Sequence, residues 1–406
     1  MATASASPQA GQRLHHLDAL RALLMLQILP FHAGSIYAVV PEWLVISHER
    51  SLLVTSIIGW FGIFSMTGFF IISSWLTVNY LKRRDAGQWA KMRLERIGIP
   101  LIVCVLTISP LAMIAGSLAA RLGTVTAESW GYTGDISDDL LTAGRHWIGH
   151  LWFLVTILVY TGLVLLLTRG DRLNRLLTVS TRFIETHSTP LRTWLLVLAF
   201  GAAWRAGTLL IFFTLRHGFG IETPFLAVID IKNWLIYIPP FALGLMMGFS
   251  PVLREHLLKL SWPRIIFTAA TACFLVYYPP ADDAAGKLIR AVIRGSCAFA
   301  MCFVAIALVE RYFTREHGWA KFVSRHSYSV YLVHYPIVAF LGVAFMLIAW
   351  PPIIEFSIIT AIAFAISFAI AILISRTAIL RFLYNGIPME KQETKAISIA
   401  GSPAPK

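Results

Sequence analysis

The stretch LDALRALLMLQILPFHAGSIY, residues 17–37, decides the fold. It is a mostly apolar run of the length that crosses a bilayer core as a helix. It is too long for a signal-peptide core, and no small-residue cleavage pattern follows closely, so it reads as a retained first helix. Asp18, Arg21 and His32 are the ionisable side chains that interrupt it before its closing tyrosine. Arg21 and His32 stand eleven residues apart, about 20° past three full helical turns, so they share a face. Their separation along the axis is ~16 Å, one near an interface and the other beyond mid-bilayer. Pro30 removes a backbone donor just before His32 and predicts a kink or local opening.

The rest of the chain repeats the pattern. Of 406 residues, 57% are hydrophobic and 14% charged, and the mean hydropathy is +0.70. A soluble domain is roughly one-quarter charged, so a soluble fold of this composition would lack the polar residues to cover its surface. Further apolar segments lie at 52–80, 97–119, 147–168, 192–214, 224–249, 263–280, 287–309, 327–349 and 352–379. The expectation is an all-α, polytopic membrane helix bundle of about ten transmembrane helices. Residues 1–16 are expected to be a flexible cytoplasmic N-terminus, 17–380 the transmembrane domain and 381–406 a cytoplasmic tail.

Charge orients the bundle. Loops 81–96, 169–192, 250–264 and 310–325 are rich in Arg and Lys, while loop 120–146 carries Glu128, Asp135, Asp138 and Asp139, and loop 279–287 carries Asp282 and Asp283. The basic loops are the even-numbered connections. Positive charge collects on the cytoplasmic side, so both termini are predicted to be cytoplasmic. The same rule accounts for the net charge of +13 and excludes a nucleic-acid partner; the bulk partner is the lipid bilayer. Cys104, Cys273, Cys297 and Cys302 all sit in apolar runs without metal-ligand spacing, and neither a disulfide nor a metal site is expected.

Polar residues inside apolar spans are candidates for function. His32 can act as a general base toward a hydroxyl; the structural alternative is a histidine bonded to a neighbouring helix, with Arg21 reaching to the interface. Arg93 and Arg96 are one turn apart and fit a cationic clamp for phosphates, or simply the positive-inside pattern. Asp18, His150, Arg290, Arg294, Tyr331 and His334 are possible supporting groups, with Tyr328 and Tyr335 beside His334. Asp230 and Arg205 are a candidate buried ion pair. A proton-coupled small-molecule transporter would also use such residues, although the spans show no two-half symmetry and no matching pair of broken helices.

In their order, LDALRALLMLQILPFHAGSIY, RLERIGIP (93–100), HLWFL (150–154), SRHSYSVYLVHYP (324–336) and LRFLYNGIP (380–388) resemble the membrane acyltransferase 3 family. The resemblance runs from about residue 17 to 388 and is nearest to a branch linked to succinylation of osmoregulated periplasmic glucans. It implies an O-acyltransferase of the bacterial inner membrane that moves an acyl group, succinyl by expectation, from cytoplasmic acyl-CoA to hydroxyls of periplasmic glucan. An acetyltransferase acting on another envelope polysaccharide or glycolipid is the alternative. By the same resemblance His32 is the catalytic base, Arg21 lies along the donor path, and Arg93 and Arg96 hold the acyl-CoA phosphates. No permanently bound cofactor is implied; acyl-CoA, succinyl-CoA by expectation, is a substrate. Many relatives carry an aspartate in the second span, where this chain has Phe64-Ser65-Met66-Thr67-Gly68-Phe69-Phe70.

Overall fold

The structure, a computed structural model, describes residues 15–40, 43–123, 131–142, 147–220, 225–226, 229–278 and 283–389. Glu128, Asp282 and the side chain of Asp230 lie outside the described residues, and so do 1–14 and 390–406. The chain is helical, with one antiparallel pair of two-residue strands, β1 (Phe225–Leu226) and β2 (Ile229–Asp230). The helices are α1 (His15–Ser35), α2 (Leu52–Leu81), α3 (Ala86–Arg93), α4 (Ile99–Arg121), α5 (Ile136–Thr142), α6 (Trp152–Thr168), α7 (Arg172–His187) and α8 (Pro190–Phe219). They continue with α9 (Ile231–Phe249), α10 (Pro251–Leu258), α11 (Trp262–Tyr277), α12 (Ala284–Tyr312), α13 (Gly318–Phe345), α14 (Pro352–Arg376) and α15 (Ala378–Asn385).

The apolar segments coincide largely with helices, although segment 224–249 is helical only from Ile231 and begins with the two strands. Among the described residues seven helical stretches are long and apolar enough to cross a membrane, or eight if the pair α9 and α10, bent by 117°, is one span. This is a multi-pass membrane protein. Helix α1, with its polar side chains, and α11, with 16 residues, fall outside that set. Helix α1 runs through Pro30 without a break.

Polar caps mark where helices begin. Ser51, Asp85, Thr189, Ser250 and Asp283 each accept a hydrogen bond from a backbone N–H of the first turn, satisfying donors that a helix start leaves open. Within lipid the hydrophobic effect does not drive helices together, so close backbone approach matters. The GLMMG run of α9 supplies it: a Cβ on Gly244 would collide with Ser74 Oγ and the Ile71 carbonyl of α2, and one on Gly248 would lie 3.0 Å from the Trp75 carbonyl. Gly201 of α8 and Gly295 of α12 pack against each other in the same way. Helix α1 packs against α2, α13 and α14.

The basic connections and the start of α1 share one end of the bundle. His16 lies 3.6 Å from Glu310, Lys82 Nζ donates to the Gly248 carbonyl at 2.9 Å, and the Arg254 guanidinium sits over the Trp75 ring. At the other end, Tyr37 donates to Glu355 at 2.6 Å, and the same carboxylate accepts from the Trp350 amide. Nearby, Asp139 of α5 accepts from Thr133 N, Thr133 Oγ1 and Gly134 N at 2.7–3.0 Å. Burial opposes its ionisation, but the bonds from Thr133 and Gly134 outweigh burial and hold the carboxyl below its ordinary 3.8.

Two outcomes are expected. Gly244→Ala should lower unfolding stability in detergent by about 1–3 kcal/mol, whereas Gly207→Ala, where a Cβ meets nothing within 4 Å, should change it by less than about 0.5 kcal/mol; equal melting of the two would contradict the tight α2–α9 crossing. The Asp139 carboxyl titrates lower folded than unfolded, so its contribution is present above about pH 4 and lost as pH falls through the folded value. Asp139→Asn should therefore destabilise the protein at pH 7, and the difference from wild type should shrink on acidification; a pH-independent difference would contradict an ionised Asp139.

Candidate active site

The candidate site starts from a proline. Pro336 lies inside α13 and has no N–H, so the carbonyl four residues earlier, Leu332, loses its helical donor. His150 takes its place: Nε2 lies 3.1 Å from Leu332 O. His150 is on a 3₁₀ turn, Gly149–Leu151, that opens α6. The tie is reciprocal, since Tyr331 OH donates to the His150 carbonyl at 2.5 Å. One turn of α13 further on, His334 Nδ1 lies 2.8 Å from the Tyr331 carbonyl and 3.2 Å from that of Val330. A carbonyl only accepts, so these contacts assign the hydrogens: Nε2–H on His150 and Nδ1–H on His334, leaving lone pairs on His150 Nδ1 and His334 Nε2.

His32 completes the layer from α1. Its ring centroid is 5.2 Å from that of His334 and 5.2 Å from Tyr335. Trp43, from the segment after α1, stacks on it at 5.7 Å. Tyr335 also stacks on His150 at 4.5 Å, so its ring lies between the two histidines. His334 and His150 are buried, while His32 keeps partial exposure. His32 Nδ1 and His334 Nε2 are buried without a hydrogen-bond partner among the described residues. No group of three His, Cys, Asp or Glu able to hold a metal occurs among the described residues.

Beside this layer a cavity of about 460 Å³ reaches toward the basic end of the bundle. Arg21, Arg93, Arg96 and Arg325 line it, its walls include Met66, Phe69, Phe153 and Leu154, and Tyr331 closes it against the histidines. His32 does not line it; Ile28, one turn earlier on α1, does. The two loop arginines are held differently. Arg93 donates to Ser73 Oγ at 3.2 Å, the Ser73 carbonyl at 3.1 Å and Thr77 Oγ1 at 3.0 Å, and lies over the Trp89 ring. Arg96 belongs to a π-helical turn, Leu94–Gly98, and is exposed, with no hydrogen bond among the described residues. A π turn widens the helix by one residue and is frequent at functional sites.

The structure thus brings His32, His150, Tyr331 and His334 into one layer, and Arg21, Arg93 and Arg96 into the cavity next to it. The other sequence candidates lie elsewhere. Asp18 accepts from Ser324 at 3.2 Å, outside the cavity lining. Arg290 donates to the Tyr278 and Leu275 carbonyls. Arg294 donates to the Gly62 carbonyl and lines a separate small cavity with Arg205. Trp43, Arg325 and Asn385 join the site without having been singled out from sequence; Arg325 sits within the SRHSYSVYLVHYP motif, but Trp43 lies in a connection with no periodic signal.

A family model described as an acyltransferase domain matches residues 14–372. The chain belongs to this acyltransferase 3 family. Among curated proteins it is similar to glucans biosynthesis protein C of Escherichia coli strain K12, 28% identical over 395 residues, which cover 95% of this chain and 98% of that one. The protein of the same name from Escherichia coli O139:H28 is 28% identical over 396 residues, with the same coverage. No solved structure matches the chain. Membership makes this protein an acyltransferase, and the matched span contains all four histidine-layer residues and the four cavity arginines.

The two loop arginines should separate in stability. Arg93→Ala should lower unfolding stability by about 1–3 kcal/mol, since it removes charged hydrogen bonds to α2. Arg96→Ala should stay within about 0.5 kcal/mol. Equal losses in a thermal melt would show that both arginines are structural.

Proposed function

We propose that this protein transfers an acyl group, succinyl by expectation, from cytoplasmic acyl-CoA to hydroxyls of a periplasmic glucan across the bacterial inner membrane. The observation that carries the reading is the arginine-lined cavity that ends on Tyr331, the residue that also holds the histidine layer. Coenzyme A presents phosphates at one end and a long, weakly polar arm at the other. Arginines suit the phosphates, and the Met66, Phe69 and Phe153 walls suit the arm. The ten-span topology belongs to this reading. With both termini and the basic loops in the cytoplasm, the cavity opens inward and His32 lies in the outer half. The glucan acceptor and the succinyl group rest on the family resemblance and on the name of the E. coli relatives.

In this mechanism His32 takes the proton from the acceptor hydroxyl. The oxygen attacks the thioester carbon and forms the ester C–O bond. The tetrahedral oxyanion collapses, the C–S bond breaks, and the leaving thiolate of coenzyme A recovers the proton. His32 is the base because it alone of the three histidines keeps partial exposure. His334 Nε2, a lone pair held in place by the Nδ1 contact with Tyr331, faces no donor in the resting layer. A protonated His32 supplies one after a small ring rotation. The resting layer is therefore one hydrogen bond short, and proton uptake at His32 completes it.

The test uses purified protein with labelled succinyl-CoA or acetyl-CoA and periplasmic glucan, in detergent without any gradient. Wild type should form acylated glucan, and mass spectrometry of the product names the acyl group. His32→Ala should slow turnover by about 100-fold or more and leave acyl-CoA affinity within a few-fold. Undiminished turnover by the variant would remove His32 as the base, and no product from wild type would remove the reading.

A further inference from the structure

The segment after α14 does more than end the chain. Three consecutive residues, Tyr384, Asn385 and Gly386, touch three different elements beside the cavity: α4, α13 and the π turn. Tyr384 OH lies 3.1 Å from Thr107 Oγ1 of α4. Ser329 Oγ of α13 donates to Asn385 Oδ1 at 2.8 Å. Gly386 rests on the π turn: a Cβ there would lie 2.5 Å from Arg96 Cα and closer still to the Glu95 carbonyl oxygen. These are backbone atoms of a helical turn, so no side-chain movement would relieve the collision. Gly386 also has φ +57°, the left-handed cap conformation that closes α15, with its N–H on the Phe382 carbonyl at 2.9 Å. Glycine is thus required twice, for its backbone angle and for the close approach. Asn385 and Ile387 themselves line the cavity.

The turn it rests on is the one that needs support. A π turn is a less favourable helical form than its α neighbours, and the Arg96 side chain makes no hydrogen bond among the described residues. Arg93, one turn away, is fixed by its own bonds to α2. The position of Arg96 therefore depends on backbone packing, and Gly386 supplies that packing from outside the turn.

We propose that the Tyr384–Gly386 turn is a positioning latch: by docking Gly386 on Glu95–Arg96 it sets where Arg96 stands in the cavity and so tunes affinity for the phosphates of the acyl donor. This rests on the reading of the cavity as the acyl-CoA site. Gly386 touches no reacting atom, so its effect should fall on donor binding and not on the chemical step.

The experiment combines a binding cycle with a readout that needs no ligand. In purified full-length protein, Gly386→Ala should weaken coenzyme A binding by about tenfold, the scale of one charged hydrogen bond. Turnover at saturating donor should stay within about threefold of wild type. Adding Gly386→Ala to Arg96→Ala should weaken binding no further than Arg96→Ala alone, because residues acting through one contact are not additive. Full additivity would overturn the latch. Hydrogen exchange of amides 94–98 should quicken in Gly386→Ala, and less so in the milder Asn385→Ala, with the rest of α4 unchanged. Unaltered exchange at 94–98 in both variants would overturn the docking itself. Wild type that binds no coenzyme A, with exchange responding as expected, would instead overturn the donor-site reading.

Discussion

The arrangement of the site depends on one carbonyl. Helix prolines in lipid leave backbone oxygens that water cannot reach, and each such oxygen needs a donor from elsewhere in the protein. Leaving one buried without a partner costs about 1–3 kcal/mol, enough to select a particular neighbour. Pro336 frees Leu332 O, and His150 answers it. The same logic operates in α9, where Pro239 frees Leu235 O and Trp204 Nε1 donates to it at 2.8 Å. In α13 the consequence reaches chemistry. Answering Leu332 O pins the start of α6 against α13, fixes the tautomer of His150, and brings the His150 carbonyl to Tyr331.

Two environments meet at Tyr331. On one side is a layer of rings, with Tyr335 between His32 and His150 and Trp43 stacked on His32. On the other is a cavity with four arginines on its lining. Like charges gathered in a space of reduced dielectric repel, by several-fold more than they would in water. Arg93 relieves part of this through its bonds to Ser73 and Thr77, but those are neutral acceptors. No carboxylate is among the residues that line the cavity. A multiply charged anion suits such a lining, in keeping with the donor proposed for it.

The bundle was legible in the sequence because its signals are local. Apolar run length located the helices, of which seven or eight among the described residues are long and apolar enough to cross a membrane, and helical spacing put Arg21 and His32 on one face. Short-range rules fail where geometry is set by distant contacts. The π turn at Leu94–Gly98 leaves no mark in the hydropathy, so Arg93 and Arg96, read as one two-pronged clamp, turned out to be one anchored and one free-standing side chain. Loop 169–192 read as a charged connection, yet it holds α7, whose exposed Leu176, Val179 and Phe183 alternate with arginines as on an interfacial helix. Arg290 and Arg294, one turn apart as expected, answer backbone carbonyls away from the histidines. Trp43 lies in a connection without a periodic signal, and Gly386, although it falls in LRFLYNGIP, owes its place to a contact with Glu95–Arg96 that is distant in the chain.

The three histidines divide labour by what holds their nitrogens. His150 has its N–H committed to a carbonyl that has no other donor, so protonating or turning that ring would disturb the α6–α13 contact. His334 is tethered through Nδ1 to its own helix and offers only Nε2. His32 has no such tether on Nδ1, sits on the helix that α2, α13 and α14 hold in place, and keeps exposure that the others lack. That difference accords with the general-base role proposed for His32 and with a positioning role for the other two. The backbone carbonyls of Leu332 and Tyr331 create the difference, since each fixes one imidazole, whereas the His32 ring is set by its contacts with Trp43, His334 and Tyr335.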